Sequence, residues 1–226
     1  MRYRPGGPTP PDPPERPWTF GAEPLPQTMT AAGLLRQVTN LVLALEDHDP
    51  EVDRLIADLR RAEYRLRARV PAEPAPRVGA AASGDGRVYL DHARDIGAFN
   101  PCFPEYELMA DGDRAFGSVT FPIAYEGPPG IVHGGFLALF FDCAVQHHNC
   151  DAGAAGKTAS LALRYRRPAP LLTPFTFDIE RSQADGRIRS VGRLLAGDRV
   201  LCEAEVDAVA GDRAALPEVS PRRTQP

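Results

Sequence analysis

Residues 127–149, GPPGIVHGGFLALFFDCAVQHHN, join a turn rich in proline and glycine to an apolar segment that is predicted to form a helix. Between Gly134 and Val145 this helix carries one charge, that of Asp142. A carboxylate among apolar side chains costs free energy to desolvate, so it is normally paired, protonated or used in chemistry. The glycines at the start leave the helix N terminus with unpaired N–H groups. Hydrogen-bond donors for an oxyanion together with a carboxylate are what acyl transfer requires.

Five segments around this helix have the alternation and composition of β-strands. One, 115–121, precedes the helix, and four follow it, at 158–165, 175–183, 187–196 and 200–209. Turns at Ala184-Asp185-Gly186 and Gly197-Asp198 join the last three strands as hairpins. Because apolar residues cover nearly the whole circumference of the helix, more than one surface must bury it. The pattern predicts an α+β fold in which a curved antiparallel sheet wraps around one central α-helix.

The N-terminal part is predicted to contain an arm, two helices and a linker. Residues 1–27 are rich in proline and read as a disordered arm, and 71–86 read as a linker. Between them, 28–70 form a helical hairpin whose helices start at Thr30 and at Asp49-Pro50. The apolar faces of the hairpin are expected to pack on one another or on the α+β domain at 87–210. These faces contain Leu34, Leu41, Leu45, Leu55 and Leu59. Residues 211–226 are predicted to be a disordered tail.

Composition limits the classes of partner. The 226 residues carry a net charge of −4 with a pI near 5.8, so nothing favours nucleic acid or an anionic membrane as a partner. The four cysteines form no CxxC pair and do not suggest a disulfide framework. No signal peptide and no run of eighteen apolar residues is present. We therefore expect a soluble protein in the cytoplasm.

Two segments resemble the hotdog-fold acyl-CoA thioesterases, and in particular their PaaI-like subgroup. They are YEGPPGIVHGGFLALFFD at 125–142 and TASLALRYRRPAPL at 158–171. The specific combination is His133-Gly134-Gly135 at the helix start, Asp142 nine residues after the histidine, and a strand that begins with Thr158 and ends in Arg-Pro. The resemblance spans roughly residues 86–210. It implies a hotdog fold, hydrolysis of an acyl-CoA to a free acid and CoA, a homodimer or dimer of dimers, and no metal or other cofactor.

The resemblance also implies roles for particular residues in catalysis. The N–H of Gly134 would bind the thioester oxygen as charge develops on it, a contact that typically contributes about 3 kcal/mol to transition-state stabilisation. Asp142 would either deprotonate water or attack the carbonyl carbon to form an anhydride. Thr158 would position the water or the carboxylate, and His133 would shape the turn and orient the thioester. In the family, the carboxylate faces the partner subunit's site, so Asp142 and Gly134 of one chain would belong to two different sites.

Four further residues are candidates for substrate binding. They are Gly135, Asn100, Arg166 and Arg167, of which the arginines would attract the CoA phosphates. Arg164 and Arg166 lie on one strand face, where solvent could equally surround them. Some relatives have Asn or Gln six residues before the histidine, where this chain has Gly127. The second polar group of the site is therefore unassigned.

Plainer interpretations stand beside these roles. The glycines could serve close packing, Asp142 could be a structural carboxylate, and Thr158 could be an ordinary strand threonine. His147 and His148 are adjacent, lack the i, i+4 spacing of a helical zinc pair and are expected at the surface or the helix end. Cys143 is expected to be a buried structural thiol.

Two other function classes stay open. A non-catalytic hotdog module could bind acyl-CoA as a sensor or scaffold, with the helical hairpin contacting another protein. A hotdog hydratase or dehydratase fits less well, because those enzymes use an Asp/His dyad that lies in a different local motif. Turnover of an acyl-CoA distinguishes the thioesterase from the first class, and activity on an enoyl-CoA would favour the second.

Overall fold

The structure is a computed structural model that describes residues 26–69, 79–80, 87–88, 96–152 and 156–210. The helices are α1 (Pro26–Ala44), α2 (Pro50–Arg67) and α3 (Gly134–Asp151), with 3-10 turns at Ile96–Ala98 and Ile123–Tyr125. A short antiparallel pair is formed by β1 (Gly79–Ala80) and β2 (Arg87–Val88). The other strands are β3 (Tyr106–Asp111), β4 (Arg114–Thr120), β5 (Gly156–Tyr165), β6 (Pro174–Ala184), β7 (Arg187–Ala196) and β8 (Arg199–Ala210). Nearly all of the predicted arm, most of the linker and the predicted tail lie outside the described residues.

Six strands form one antiparallel sheet that packs on α3. Their order is β3-β4-β6-β7-β8-β5, and α3 contacts β3, β5, β7 and β8. The α+β arrangement expected from the sequence is confirmed, as is burial of several faces of the helix. Strand β3 was not predicted, because four of its six residues are exposed and its alternation is weak. Strand β5 lies at the opposite edge of the sheet from β3, and it carries Thr158.

Aromatic side chains fill the space between α3 and the sheet. Phe140 and Phe141 of the helix are fully buried, and the ring of Phe140 meets those of Phe121 and Phe177 edge to face at 5.6 and 5.1 Å. Such pairs contribute about 0.5–1.5 kcal/mol beyond the burial of their area. The core thus fixes the helix that carries the candidate site residues.

The expected packing of the hairpin's apolar faces is wrong for four of the five leucines, and Leu55 is half-buried. Leu34, Leu41, Leu45 and Leu59 are all more than 45 % exposed, and no residue of α2 is buried. Helix α1 instead contacts both 3-10 turns of the α+β domain through a different face, on which Ala32 and Arg36 are buried. The leucine pattern therefore predicted the two helices but not the surface through which α1 packs.

The two adjacent histidines lie at the end of α3, as expected, but His148 is not at the surface. Its side chain is fully buried, and its Nε2 lies 2.9 Å from the carbonyl oxygen of Gly112 in the β3–β4 turn. Burial lowers the pKa of His148 below its ordinary value, and the nearby Arg181 acts in the same direction. His147 is half-buried, with its Nδ1 3.3 Å from the Tyr106 hydroxyl.

This lowered pKa predicts a loss of stability in mild acid. The unfolded chain binds the His148 proton near the ordinary pKa of about 6.5, whereas the folded protein binds it at lower pH. His148 therefore does not reduce the free energy of unfolding above about pH 6.5, and it reduces that free energy as the pH falls below this value. We expect the urea midpoint of the wild type to fall more between pH 7.5 and 5.5 than that of His148→Gln, which keeps a donor for Gly112. Equal losses in the two proteins would contradict this assignment.

Candidate active site

The start of α3 is capped by the side chain of His133. Its backbone is extended (φ −64°, ψ 133°), and its Nδ1 accepts a hydrogen bond from the N–H of Gly135 at 3.0 Å. The N–H of His133 donates to the carbonyl oxygen of Tyr125 at 2.9 Å, which ties the cap to the preceding 3-10 turn. Because Nδ1 accepts, the neutral imidazole carries its proton on Nε2. The turn-shaping part of the role expected for His133 thus has a geometric basis.

Gly134 is the first residue of the helix, and within the described residues its N–H makes no hydrogen bond. The N–H of Gly135 is engaged by His133, so the donor left at this end of the helix is that of Gly134. The hydroxyl of Tyr165 donates to the Gly134 carbonyl oxygen at 2.9 Å. A Cβ on Gly134 would lie 2.9 Å from that hydroxyl oxygen, which leaves little room for a side chain here.

Close packing explains why position 127 is glycine and not the Asn or Gln that some relatives have there. A Cβ at this position would lie 2.8 Å from the Cα of His133 and 2.9 Å from its Cβ. Contacts this short would push the helix cap away from the turn. Asn or Gln therefore does not fit at position 127 in the observed backbone. Tyr165 is a polar side chain that instead reaches the helix start, from the end of β5.

Asp142 forms a hydrogen-bonded group with two other side chains. The Thr158 hydroxyl donates to Oδ1 of Asp142 at 2.7 Å, and Nε2 of Gln146 donates to the Thr158 oxygen at 2.7 Å. Asp142 and Gln146 are four residues apart and lie on the same face of α3, while Thr158 lies on β5. The structure thus brings together Asp142 and Thr158 as predicted from the sequence, and adds Gln146.

Strand β5 has a bulge beside Thr158. Thr158 is opposite Ala208 on β8, whereas Ser160 is opposite Asp207, so Ala159 is an extra residue in the ladder. A bulge bends the strand locally and changes the direction of neighbouring side chains. This irregularity lies at the residue that contacts Asp142.

Gly134 and Asp142 are well separated within one chain. They are eight residues apart on the same helix, and a rise of 1.5 Å per residue separates them by about 12 Å along its axis. Hydrogen bonds to a reacting carbonyl and to its attacking water need distances of about 3 Å from each group. Within one chain, the unengaged N–H of Gly134 and the carboxylate of Asp142 therefore cannot both reach one carbonyl group.

The basic and amide candidates for substrate binding already have partners in the fold. Arg166 forms an ion pair with Glu203 of β8 at 2.6 Å, and Nη1 of Arg167 donates to the carbonyl oxygen of Val200 at 2.8 Å. The Asn100 side chain accepts a hydrogen bond from the N–H of Cys102 at 3.1 Å. These contacts stabilise local structure, and they leave a role in CoA binding for Arg166, Arg167 and Asn100 as a prediction. Gly135 is exposed beside the cap.

Cys143 follows Asp142 on α3 and is half-buried. Burial and the charge of the neighbouring Asp142 raise the pKa of its thiol to about 12, so that it stays protonated at neutral pH. A protonated thiol is a poor nucleophile, which favours the structural role expected for Cys143. Among the described residues, no group of three or more His, Cys, Asp or Glu side chains could hold a metal ion.

Two residues of the site were not predicted. Gln146 and Tyr165 lie in the two segments singled out above, but each meets its partner through a contact between the helix and β5. The spacing of Asp142 and Gln146 by one helical turn was a usable signal. For Tyr165, nothing in the local pattern indicates that a strand end reaches the helix start.

Known proteins resemble this chain in part of its sequence and in its fold. No family model matches the chain. A stretch of 62 residues is 34 % identical to acyl-coenzyme A thioesterase THEM4 of Bos taurus and covers 27 % of this chain and 25 % of that protein. The chain therefore matches about a quarter of the length of this curated relative.

A solved structure shares the fold. The crystal structure of a thioesterase superfamily protein matches with a TM-score of 0.65 and 28 % identity, covering 85 % of this chain and 100 % of that one. A phenylacetic acid degradation-related protein of Ralstonia eutropha JMP134 matches less well, with a TM-score of 0.41 and 19 % identity over 46 % of this chain and 83 % of that one. The chain therefore has the hotdog fold of the thioesterase superfamily, and the expected resemblance to hotdog-fold thioesterases is confirmed.

Proposed function

We propose that this protein is an acyl-CoA thioesterase that hydrolyses the thioester to a carboxylic acid and free CoA. Two groups on α3 carry the proposal. One is the carboxylate of Asp142, which accepts a hydrogen bond from Thr158, and the other is the unengaged N–H of Gly134 at the capped start of the helix. The similarity to a thioesterase superfamily structure and to part of an acyl-CoA thioesterase supports the same reaction class.

The chemistry needs an ionised carboxylate and an oxyanion donor. Asp142 either takes a proton from the water that attacks the carbonyl carbon, or attacks that carbon itself to form an anhydride that water then hydrolyses. In both routes the thioester oxygen gains negative charge and the N–H of Gly134 stabilises it, together with the positive end of the helix dipole. The C–S bond breaks, and the CoA sulfur leaves as a thiolate that takes up a proton.

We propose further that each site is shared by two subunits. The distance of about 12 Å between Gly134 and Asp142 of one chain prevents both from reaching one carbonyl. A two-fold axis beside the exposed edge strand β5 would bring the helix start of one subunit to the Asp142 of its partner. A homodimer is thus the smallest active form, and two such dimers could associate.

We also propose that the protein is located in the cytoplasm. None of the described helices is long and apolar enough to cross a membrane. All four cysteines are free, which favours the reducing environment of the cytoplasm over an oxidising one.

The proposed reaction is tested with a panel of acyl-CoAs of different chain length and with aromatic acyl groups. Thiol release is followed colorimetrically, and product acids are identified by mass spectrometry. We expect saturable hydrolysis of at least one member of the panel. Tight binding of acyl-CoAs without turnover of any of them would overturn the proposal and favour the non-catalytic binding module.

Thr158 gives a prediction specific to the carboxylate. Thr158→Val removes the hydroxyl that donates to Asp142 and keeps the shape of the side chain. We expect kcat to fall about 10- to 100-fold, because a hydrogen bond to a charged group contributes about 1.5–3 kcal/mol. Thr158→Ser retains the hydroxyl and is expected to stay within a few-fold of the wild type. Equal rates for the valine and serine variants would show that the hydroxyl has no role in the reaction.

A further inference from the structure

We propose that Arg36 of α1 is a positioning residue that supports both ends of α3, and with them the two half-sites of its chain, which makes α1 a part of the catalytic unit. The inference rests on the proposed thioesterase function. It concerns a helix that lies outside the segments carrying the resemblance to thioesterases.

The guanidinium of Arg36 is buried against a loop of the α+β domain. Its side chain is 7 % exposed, and Nη1 forms an ion pair with Glu105 at 2.5 Å. Nη2 donates to the carbonyl oxygens of Gly97 and Asn100, the latter at 3.2 Å. A planar guanidinium presents its donors in a fixed fork, so it can hold several acceptors of one loop at once. Both Nη atoms have acceptors in this loop, whereas the buried Nε has no hydrogen-bond partner among the described residues.

The first connection from Arg36 leads to the carboxylate end of the site. The loop that it binds contains Ile96 and Phe99, which are buried and pack with Phe103 against Cys143 of α3. Cys143 is the residue after Asp142. The loop therefore supports the turn of α3 from which Asp142 reaches Thr158.

The second connection leads to the oxyanion end. Helix α1 packs on the 3-10 turn that contains the buried Tyr125, and the charge of Arg36 opposes the rise in the pKa of Tyr125 that burial causes. The carbonyl oxygen of Tyr125 accepts the N–H of His133, the cap that precedes Gly134, and its ring meets that of Phe136 at 4.7 Å. One turn further along α1, the Asn40 side chain accepts a hydrogen bond from the N–H of Ala124 at 3.0 Å.

Arg36 thus holds the loop that supports the Asp142 end of α3, and the helix that carries Arg36 packs on the turn that supports the other end. Misplacement of a catalytic group by about 1 Å can reduce a rate about 100-fold. Loss of the fork would free the 96–105 loop and loosen the packing of α1 on the 123–125 turn, and it would lower the rate of the chemical step more than it weakens substrate binding.

The test compares Arg36→Met and Arg36→Lys with the matched control Arg61→Met. Arg61 lies on α2, where it is exposed and pairs with Asp58, so its removal should leave kcat unchanged. At a temperature where circular dichroism shows every variant to be folded, we expect Arg36→Met to lower kcat about 10- to 100-fold with KM within about threefold. Arg36→Lys keeps the charge without the fork and is expected to recover part of that loss.

A kcat for Arg36→Met within about twofold of the wild type, or a loss that matches only its unfolded fraction, would overturn the inference. If Arg36→Met does not fold, Arg36→Lys and Asn40→Ala carry the same test. Hydrogen exchange provides a readout that needs no activity: we expect faster exchange in 96–105 and 123–136 of the Arg36 variants than in the wild type. Unchanged exchange in both segments would contradict the inference, whether or not the wild type hydrolyses an acyl-CoA. Failure of the wild type to hydrolyse any acyl-CoA would separately refute the proposed function.

Discussion

Asparagine in place of Asp142 is expected to lower kcat for acyl-CoA hydrolysis about 10²- to 10⁴-fold, the range that a positioned general base usually contributes. The amide oxygen of asparagine can still accept the Thr158 hydroxyl, so the hydrogen-bonded group that contains Gln146 keeps its shape. What is lost is the negative charge, which both the general-base route and the anhydride route need. Thiol release at saturating substrate gives kcat, and circular dichroism verifies the fold.

The matched control removes a carboxylate that lies away from this group. Asp198 is exposed in the turn between β7 and β8, and Asp198→Asn should retain the wild-type rate. An Asp142→Asn variant with more than about a tenth of the wild-type kcat would refute the chemical role of this carboxylate. Asp142 would then be the structural residue that the plainer interpretation describes.

The elements of the α+β domain could be predicted because their signals are local. Asp185 and Gly186 adopt positive φ angles of 50° and 70°, and Gly197 one of 58°, which are the conformations that such hairpin turns require. The apolar circumference of α3 predicted its central position, since an all-round apolar helix needs an enclosing surface. The pair of Asp142 and Thr158 followed from the resemblance, and the structure places the two side chains in contact.

What could not be predicted depends on contacts between distant segments. Leucines mark α1 as amphipathic, yet the helix packs through Ala32 and Arg36, because carbonyl oxygens of the 96–100 loop provide acceptors that a helix pattern does not reveal. His148 is buried because the β3–β4 turn supplies a carbonyl group near its ring. Tyr165 reaches Gly134 only once β5 lies beside α3. Local periodicity contains no information on any of these partners.

The strongest test of a shared site is a mixed dimer of two inactive subunits. Proline at position 134 is suited to remove the proposed oxyanion donor, because it is tolerated at the first position of a helix and lacks an N–H. The extended backbone of His133 also suits a residue that precedes proline. Gly134→Pro alone is expected to lower kcat about 10²- to 10³-fold. Gly134→Ala places a Cβ against Tyr165 in the same way but keeps the N–H, so it separates loss of the donor from crowding.

Co-expression of Asp142→Asn and Gly134→Pro chains with different affinity tags, followed by purification on both tags, isolates the mixed dimer. If each site takes Gly134 from one chain and Asp142 from the other, one of its two sites is intact and the other has both defects. We expect about half of the wild-type kcat per dimer, a large recovery over either variant alone. A dimer of wild-type and doubly substituted chains has one defect in each site and should stay inactive. The opposite pattern, an inactive first dimer and a half-active second one, would place each complete site within a single chain, contrary to the separation of about 12 Å between Gly134 and Asp142 along α3.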